Sequence, residues 1–194
     1  MNGILFWLIS FIFPALLTGI ALKLYSKHSL KREAIIIHAG LLVSIVVSQI
    51  SILAIGSVFL VEVTPLSILC FALSIGFGYF LLRDFGVFYG LSALLQQLAL
   101  ISSASLLFSY YFTWPVIFLL VPIFAFGHGI GDRFWYVRVL ILILWGIGAI
   151  LLFLLTGDLL LVAAIHTFFG TLLIRSSLFY QNRKAALDSL SSKS

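Results

Sequence analysis

The residues best equipped for chemistry are few: Gln96 and Gln97 in LLQQLALI (94–101), His128 in FAFGHG (124–129) and His166 in IHTFFG (165–170). Each lies in or beside a long apolar run, where lipid cannot solvate a polar group, so each is a functional candidate by default. A glutamine amide offers one carbonyl acceptor and two N–H donors. It can hold a water or a peptide group, but it has no proton equilibrium near neutral pH. Histidine can serve as acid, base, oxyanion donor or metal ligand. Two imidazoles without a carboxylate or thiolate make a poor zinc site, so His128 and His166 are weak metal candidates and no cofactor is expected. Plain packing is the competing reading for all four residues, because an interhelical hydrogen bond in a membrane contributes on the order of 1 kcal/mol. That blander reading also suits His38 and Gln49, which share one apolar run, while His28 lies in a basic connection where water solvates it.

These side chains must be positioned by membrane helices. Of 194 residues, 63% are hydrophobic and only 9% charged, with a mean hydropathy of +1.26. A soluble domain keeps about 25% charged residues to cover its surface, so the solvent of this chain is largely lipid. The fold class expected is all-α, a single-domain multi-pass bundle. A spanning helix takes about 20 apolar residues, which places spans near 4–22, 35–61, 66–82, 85–108, 112–131, 137–155 and 159–179. The short alternating strands of a membrane barrel are missing from the pattern. Cys70, the only cysteine, rules out an internal disulfide framework and a multi-thiolate metal site.

Charge placement supports seven spans independently. Lys23, Lys27, Lys31, Arg32, Arg83, Arg133, Arg138, Arg175, Arg183, Lys184 and Lys193 all fall on one side of such a bundle. The opposite connections hold Glu62, Tyr110, Tyr111 and Asp158, and no Lys or Arg. The positive-inside rule then puts the N-terminus outside and the C-terminus in the cytoplasm of a cell-membrane protein. The basic excess therefore orients helices and does not point to nucleic acid; the expected surroundings are membrane lipid. The opening MNGILFWLISFIFPALL lacks a basic n-region, so it reads as a retained first span with a kink at Pro14. GHGIGDRFWYVR (127–138) reads as an interfacial elbow, and the segment 181–194 as a polar cytoplasmic tail.

In order and spacing, Gln96-Gln97-Leu98, Phe124-Ala-Phe-Gly-His128 and the Thr156-Gly157-Asp158 approach to His166 resemble motifs of the CPBP family, the CAAX proteases and bacteriocin-processing (ABI-type) enzymes. The similarity covers about residues 85–175, and it implies three N-terminal spans (1–82) before a core of family-like helices (83–180). That family carries Glu-Glu-x-x-x-Arg, Phe-x-x-x-His and His-x-x-x-Asn. The resemblance implies an intramembrane endopeptidase in which a glutamate activates water, one histidine assists, and a second histidine with the asparagine steadies the oxyanion. Carried over, the glutamates fall on Gln96 and Gln97, the histidines on His128 and His166, the Phe on Phe124, the Arg on Ile101 and the Asn on Gly170.

The matches are the two histidines and Phe124; the departures are both carboxylates, the Arg and the Asn. A carboxylate takes a proton from water because it titrates, and an amide of the same shape does not. Losing a general base lowers a rate by about 10² to 10⁴, and losing an oxyanion donor by a further ~10² to 10³. The simultaneous departures at Ile101 and Gly170 fit natural divergence better than a designed knockout. Two functions therefore stay open: an endopeptidase of reduced activity on membrane-anchored or lipidated peptides, and a non-catalytic scaffold that binds a partner transmembrane protein or peptide in the former cleft. A small transporter is a weaker third, since the sequence shows no internal repeat and no acidic residue within a span.

Overall fold

The computed structural model describes residues 16–17, 20–21, 30–54, 61–108, 114, 118, 120–122, 125 and 135–175, apart from the side chains of 30–34, 135 and 138. The expected spans at 4–22 and 112–131 lie mostly outside the described residues, as do Pro14, Phe124, His128, the elbow segment 127–134 and the tail 181–194. Within the described residues the regular structure is helical: α1 Leu30–Ala54, α2 Pro65–Leu82, α3 Asp84–Phe108, α4 Trp135–Thr156 and α5 Leu159–Arg175. One isolated parallel bridge joins Glu62 to Asp158.

Among the described residues, four segments are long and apolar enough to cross a membrane: Ile35–Ala54, Pro65–Leu82, Asp84–Phe108 and Val139–Thr156. At 17 residues, α5 is shorter than these. The run expected to span 35–61 is helical to Ala54, and by Val61 the chain is no longer helical. The all-helical membrane character expected from composition is thus present among the described residues.

Two compact units divide the chain, Met1–Glu62 with Leu95–Leu159 and Val63–Leu94 with Leu160–Ser194. In the first unit α1 buries serines beside isoleucines and turns other apolar side chains outward. Ser44, Ser48 and Ser51 of α1 are buried, whereas Leu42, Val43, Val46, Ile50 and Leu53 are exposed. That arrangement follows from the solvent: lipid tails are as apolar as leucine, so helices associate through small residues and hydrogen bonds. Across the α1–α3 contact, Gln49 Nε2 donates to Ser102 Oγ at 2.8 Å, and the Ser48 and Ser103 hydroxyls lie 3.4 Å apart. On α4, Gly146 faces the fully buried Val121, and Ala149 and Ile150 are buried beside it in sequence.

In the second unit the start of α2 is set locally. Thr64 Oγ1 accepts from the Ser67 N–H and Ser67 Oγ accepts from the Thr64 N–H, both at 3.1 Å, with Pro65 in the first helical turn. This reciprocal capping satisfies two donors that a helix start leaves open. At the other end Arg83 adopts φ 56°, and its N–H donates to the Tyr79 carbonyl at 2.8 Å. A single residue separates α2 from α3, yet Gly78 and Gly86 meet backbone to backbone. Eight residues along a continuous helix would separate them by about 12 Å, so the chain reverses at Arg83. Glycine is required at Gly86, where a Cβ would run into the Gly78 carbonyl and come within 2.7 Å of the Tyr79 nitrogen.

Candidate functional site

Gln96 and Gln97 lie on the part of α3 that belongs to the first unit. Gln97 is fully buried and Gln96 half-buried, and both are engaged by neighbouring groups. Ile101, one turn further along α3, is also buried at 1% exposure. The position to which the resemblance assigns a guanidinium is therefore filled by a branched hydrocarbon. Just beyond it α3 carries a run of hydroxyls. Ser102 and Ser103 are fully buried and bond or approach Gln49 and Ser48 as described above. Hydroxyls and amides donate and accept, but none supplies a base at neutral pH.

The turn that introduces α5 belongs to the same unit. Gly157 has φ +65°, a conformation that side chains other than glycine's rarely accept. Its carbonyl accepts the Glu62 N–H at 2.9 Å, and its own N–H donates to the Phe153 carbonyl at 2.7 Å. Thr156 Oγ1 donates back to the Leu152 carbonyl at 2.8 Å and accepts the Asp158 N–H at 3.2 Å. The Thr-Gly-Asp sequence thus builds a closed turn, with Asp158 buried at 3% exposure.

His166 and Gly170 lie one helical turn apart on α5, in the second unit. His166 is buried at 7% exposure, and its ring meets that of Tyr89 edge-on, with centroids 6.1 Å apart and planes at 84°. Tyr89 comes from the first turns of α3, within the same unit. Its ring reaches along α5 so that the phenol covers Gly170. A Cβ at position 170 would overlap the Tyr89 hydroxyl and lie 2.5 Å from Cζ. Gly90, next to Tyr89, packs in turn on the Thr167 methyl and on Ile75. Thr167 Oγ1 donates to the Ala163 carbonyl at 2.8 Å, whereas the fully buried Thr171 Oγ1 has no hydrogen-bond partner among the described residues. Phe168 stacks at a tilt on Phe77, with centroids 4.8 Å apart.

The structure therefore brings His166 and Gly170 together with Tyr89. Gln96 and Gln97 lie in the first unit, and Phe124 and His128 lie outside the described residues. No group of three or more His, Cys, Asp or Glu side chains suited to a metal occurs among the described residues. Sequence reasoning missed Tyr89. The available signal was Gly170, since a missing side chain inside a bundle implies that another helix fills the volume, but spacing alone could not say which residue fills it. Comparison with family models, with curated proteins and with solved structures returned no match.

Proposed function

We propose that this chain is a multi-pass membrane protein with a CPBP-like core that binds a membrane-anchored or lipidated peptide, or a partner transmembrane helix, without carboxylate-driven hydrolysis. The observation that carries the reading is Gln97: the position that the resemblance gives to a water-activating carboxylate holds a fully buried amide. The six acidic residues, at 33, 62, 84, 132, 158 and 188, all fall at the ends of apolar runs or in connections, so no other carboxylate takes over that task. Seven spans, with the N-terminus outside and the C-terminus cytoplasmic, complete the reading, supported by the one-sided placement of Lys and Arg. Burial of His166 against the Tyr89 ring supports a role for the imidazole within the helix packing, as the reading requires.

The experiment is incubation of the purified protein in lipid nanodiscs with a palmitoylated model peptide carrying a benzophenone, read by photo-crosslinking and by mass spectrometry of the peptide. Capture of intact peptide that His166→Ala weakens is the expected result. Capture unchanged in His166→Ala, or no capture at all, refutes the reading. A second reading, a weak endopeptidase with His128 as base, is favoured by the retention of both histidines. Steady peptide cleavage that His128→Ala abolishes would establish it in place of the first.

A further inference from the structure

We propose that Tyr89, seated over the side-chain notch of Gly170, is the positioning residue that fixes the His166 imidazole. The inference rests on the reading of His166 as a site residue, and it identifies a group that neither motif spacing nor composition points to.

Three observations within one compact unit carry it. Position 170 has no room for a side chain, because the Tyr89 hydroxyl and Cζ occupy the place of a Cβ. The other end of the same contact is the edge-on meeting of the Tyr89 and His166 rings at 84°. Both α5 positions lie on one helical face, since residues four apart stack one above the other. A phenol whose hydroxyl end sits in the space above Gly170 thus lies with its ring against the imidazole one turn away. Edge-to-face contact restricts rotation of both rings and contributes about 0.5–1.5 kcal/mol beyond area burial. An imidazole presents different nitrogens to a ligand depending on ring orientation and tautomer, so whatever fixes the ring fixes which atom the cleft offers. Gly170 and Tyr89 then form one device: the first supplies the space and the second the hydroxyl-anchored wall. A hydroxyl contributed by α3 stands where the resemblance would put a polar side chain of α5 itself.

The test uses the full chain in nanodiscs with ¹⁵N-labelled histidine, the His166 signals being identified by their loss in His166→Gln. In the wild type the imidazole nitrogens should report a single neutral tautomer. Tyr89→Phe, which keeps the ring volume and removes the anchor, should convert this to a tautomer mixture; Gly170→Ala should do the same by displacing the phenol. Thr167→Val, on the same helix and in contact with the neighbouring Gly90, should leave the signals unchanged, which separates positioning from general loosening of the packing. A tautomer mixture in the wild type, unchanged signals in Tyr89→Phe, or an equal change in Thr167→Val would each overturn the proposal. Capture of the benzophenone peptide should fall about three- to tenfold in Tyr89→Phe, the range that loss of one polar contact within a membrane bundle produces, and unchanged capture would count against it. If the wild type captures no peptide, the binding reading fails, while the tautomer arm still decides whether Tyr89 sets His166.

Discussion

A graded set of glycine-to-alanine changes tests the hairpin between α2 and α3, because the same methyl meets different surroundings at each position. At Gly86 the added carbon comes within 2.7 Å of the Tyr79 nitrogen and overlaps the Gly78 carbonyl, so the neighbours are backbone and no rotamer change relieves them. Bringing 2.7 Å out to ordinary contact at 3.4 Å requires the two helices to part locally by the difference, 0.7 Å, and the carbonyl demands more. Overpacking of this kind destabilises by about 1–3 kcal/mol, here towards the upper end. Alanine recovers roughly 0.5–1 kcal/mol through helix propensity, leaving a net loss of about 2 kcal/mol, or ~30-fold in the folding equilibrium. At Gly76 and Gly148 the new Cβ meets nothing within 4 Å, so only the propensity gain of roughly 0.5–1 kcal/mol remains. Gly78→Ala should fall between, since its Cβ would sit 3.1 Å from the Gly86 oxygen. Denaturant titration in mixed micelles, followed by circular dichroism, gives the order directly. Equal midpoints for Gly86→Ala and Gly76→Ala would show that the helices do not meet through these glycines.

Other expectations follow from single contacts. Gly157→Ala should lose about 1–2 kcal/mol, because φ +65° is unfavourable for an L side chain and the new Cβ would press on Glu62 Cγ at 3.2 Å; a midpoint equal to that of wild type would exclude this turn geometry. Thr171→Val should be neutral or stabilising by about 1 kcal/mol, since it removes a buried hydroxyl that has no hydrogen-bond partner among the described residues. A clear loss of stability would mean that the hydroxyl is satisfied after all. For Gln49 and Ser102, linked at 2.8 Å, a double-mutant cycle of Gln49→Leu and Ser102→Ala should give a coupling of about 0.6 kcal/mol and no more than ~1.7. A zero coupling energy would remove this bond from the account of the α1–α3 contact.

Much of this architecture was readable from composition because membrane helices satisfy their backbone internally and advertise themselves by length. The runs expected at 66–82 and 85–108 correspond to α2 and α3, bounded by a capping box at Thr64 and a reversal at Arg83. The reversal itself was not readable. Arg83 has φ 56° without being glycine, and the close approach of Gly78 and Gly86 depends on two glycines whose partnership no local pattern reveals. Helix faces were similarly obscure. On α1 the buried side carries Ser44, Ser48 and Ser51 beside Ile45 and Ile52 while leucines and valines face outward, which blurs the polar-out pattern from which amphipathic reasoning begins. Gln49 was expected to bond between helices, and it does so with Ser102. For the site, spacing singled out His166 and Gly170 but could not supply Tyr89, because a contact from α3 to α5 is a property of packing and not of either segment.

Position 170 bears on whether His166 is placed for binding or for catalysis. An oxyanion donor must be aimed at the atom where charge develops and must stay there without reorganisation. In this chain the ring that meets His166 is a phenol whose oxygen is seated over Gly170 of α5. A phenol so placed is suited to holding the imidazole and to excluding water from the notch. Water activation asks for the opposite, a titrating group with room for the water beside it. On the proposed reading, a histidine where the resemblance places one and amides where it places carboxylates are therefore not in conflict: a ring held in one orientation by Tyr89 can recognise a peptide group, and recognition does not require that any bond in that group be broken.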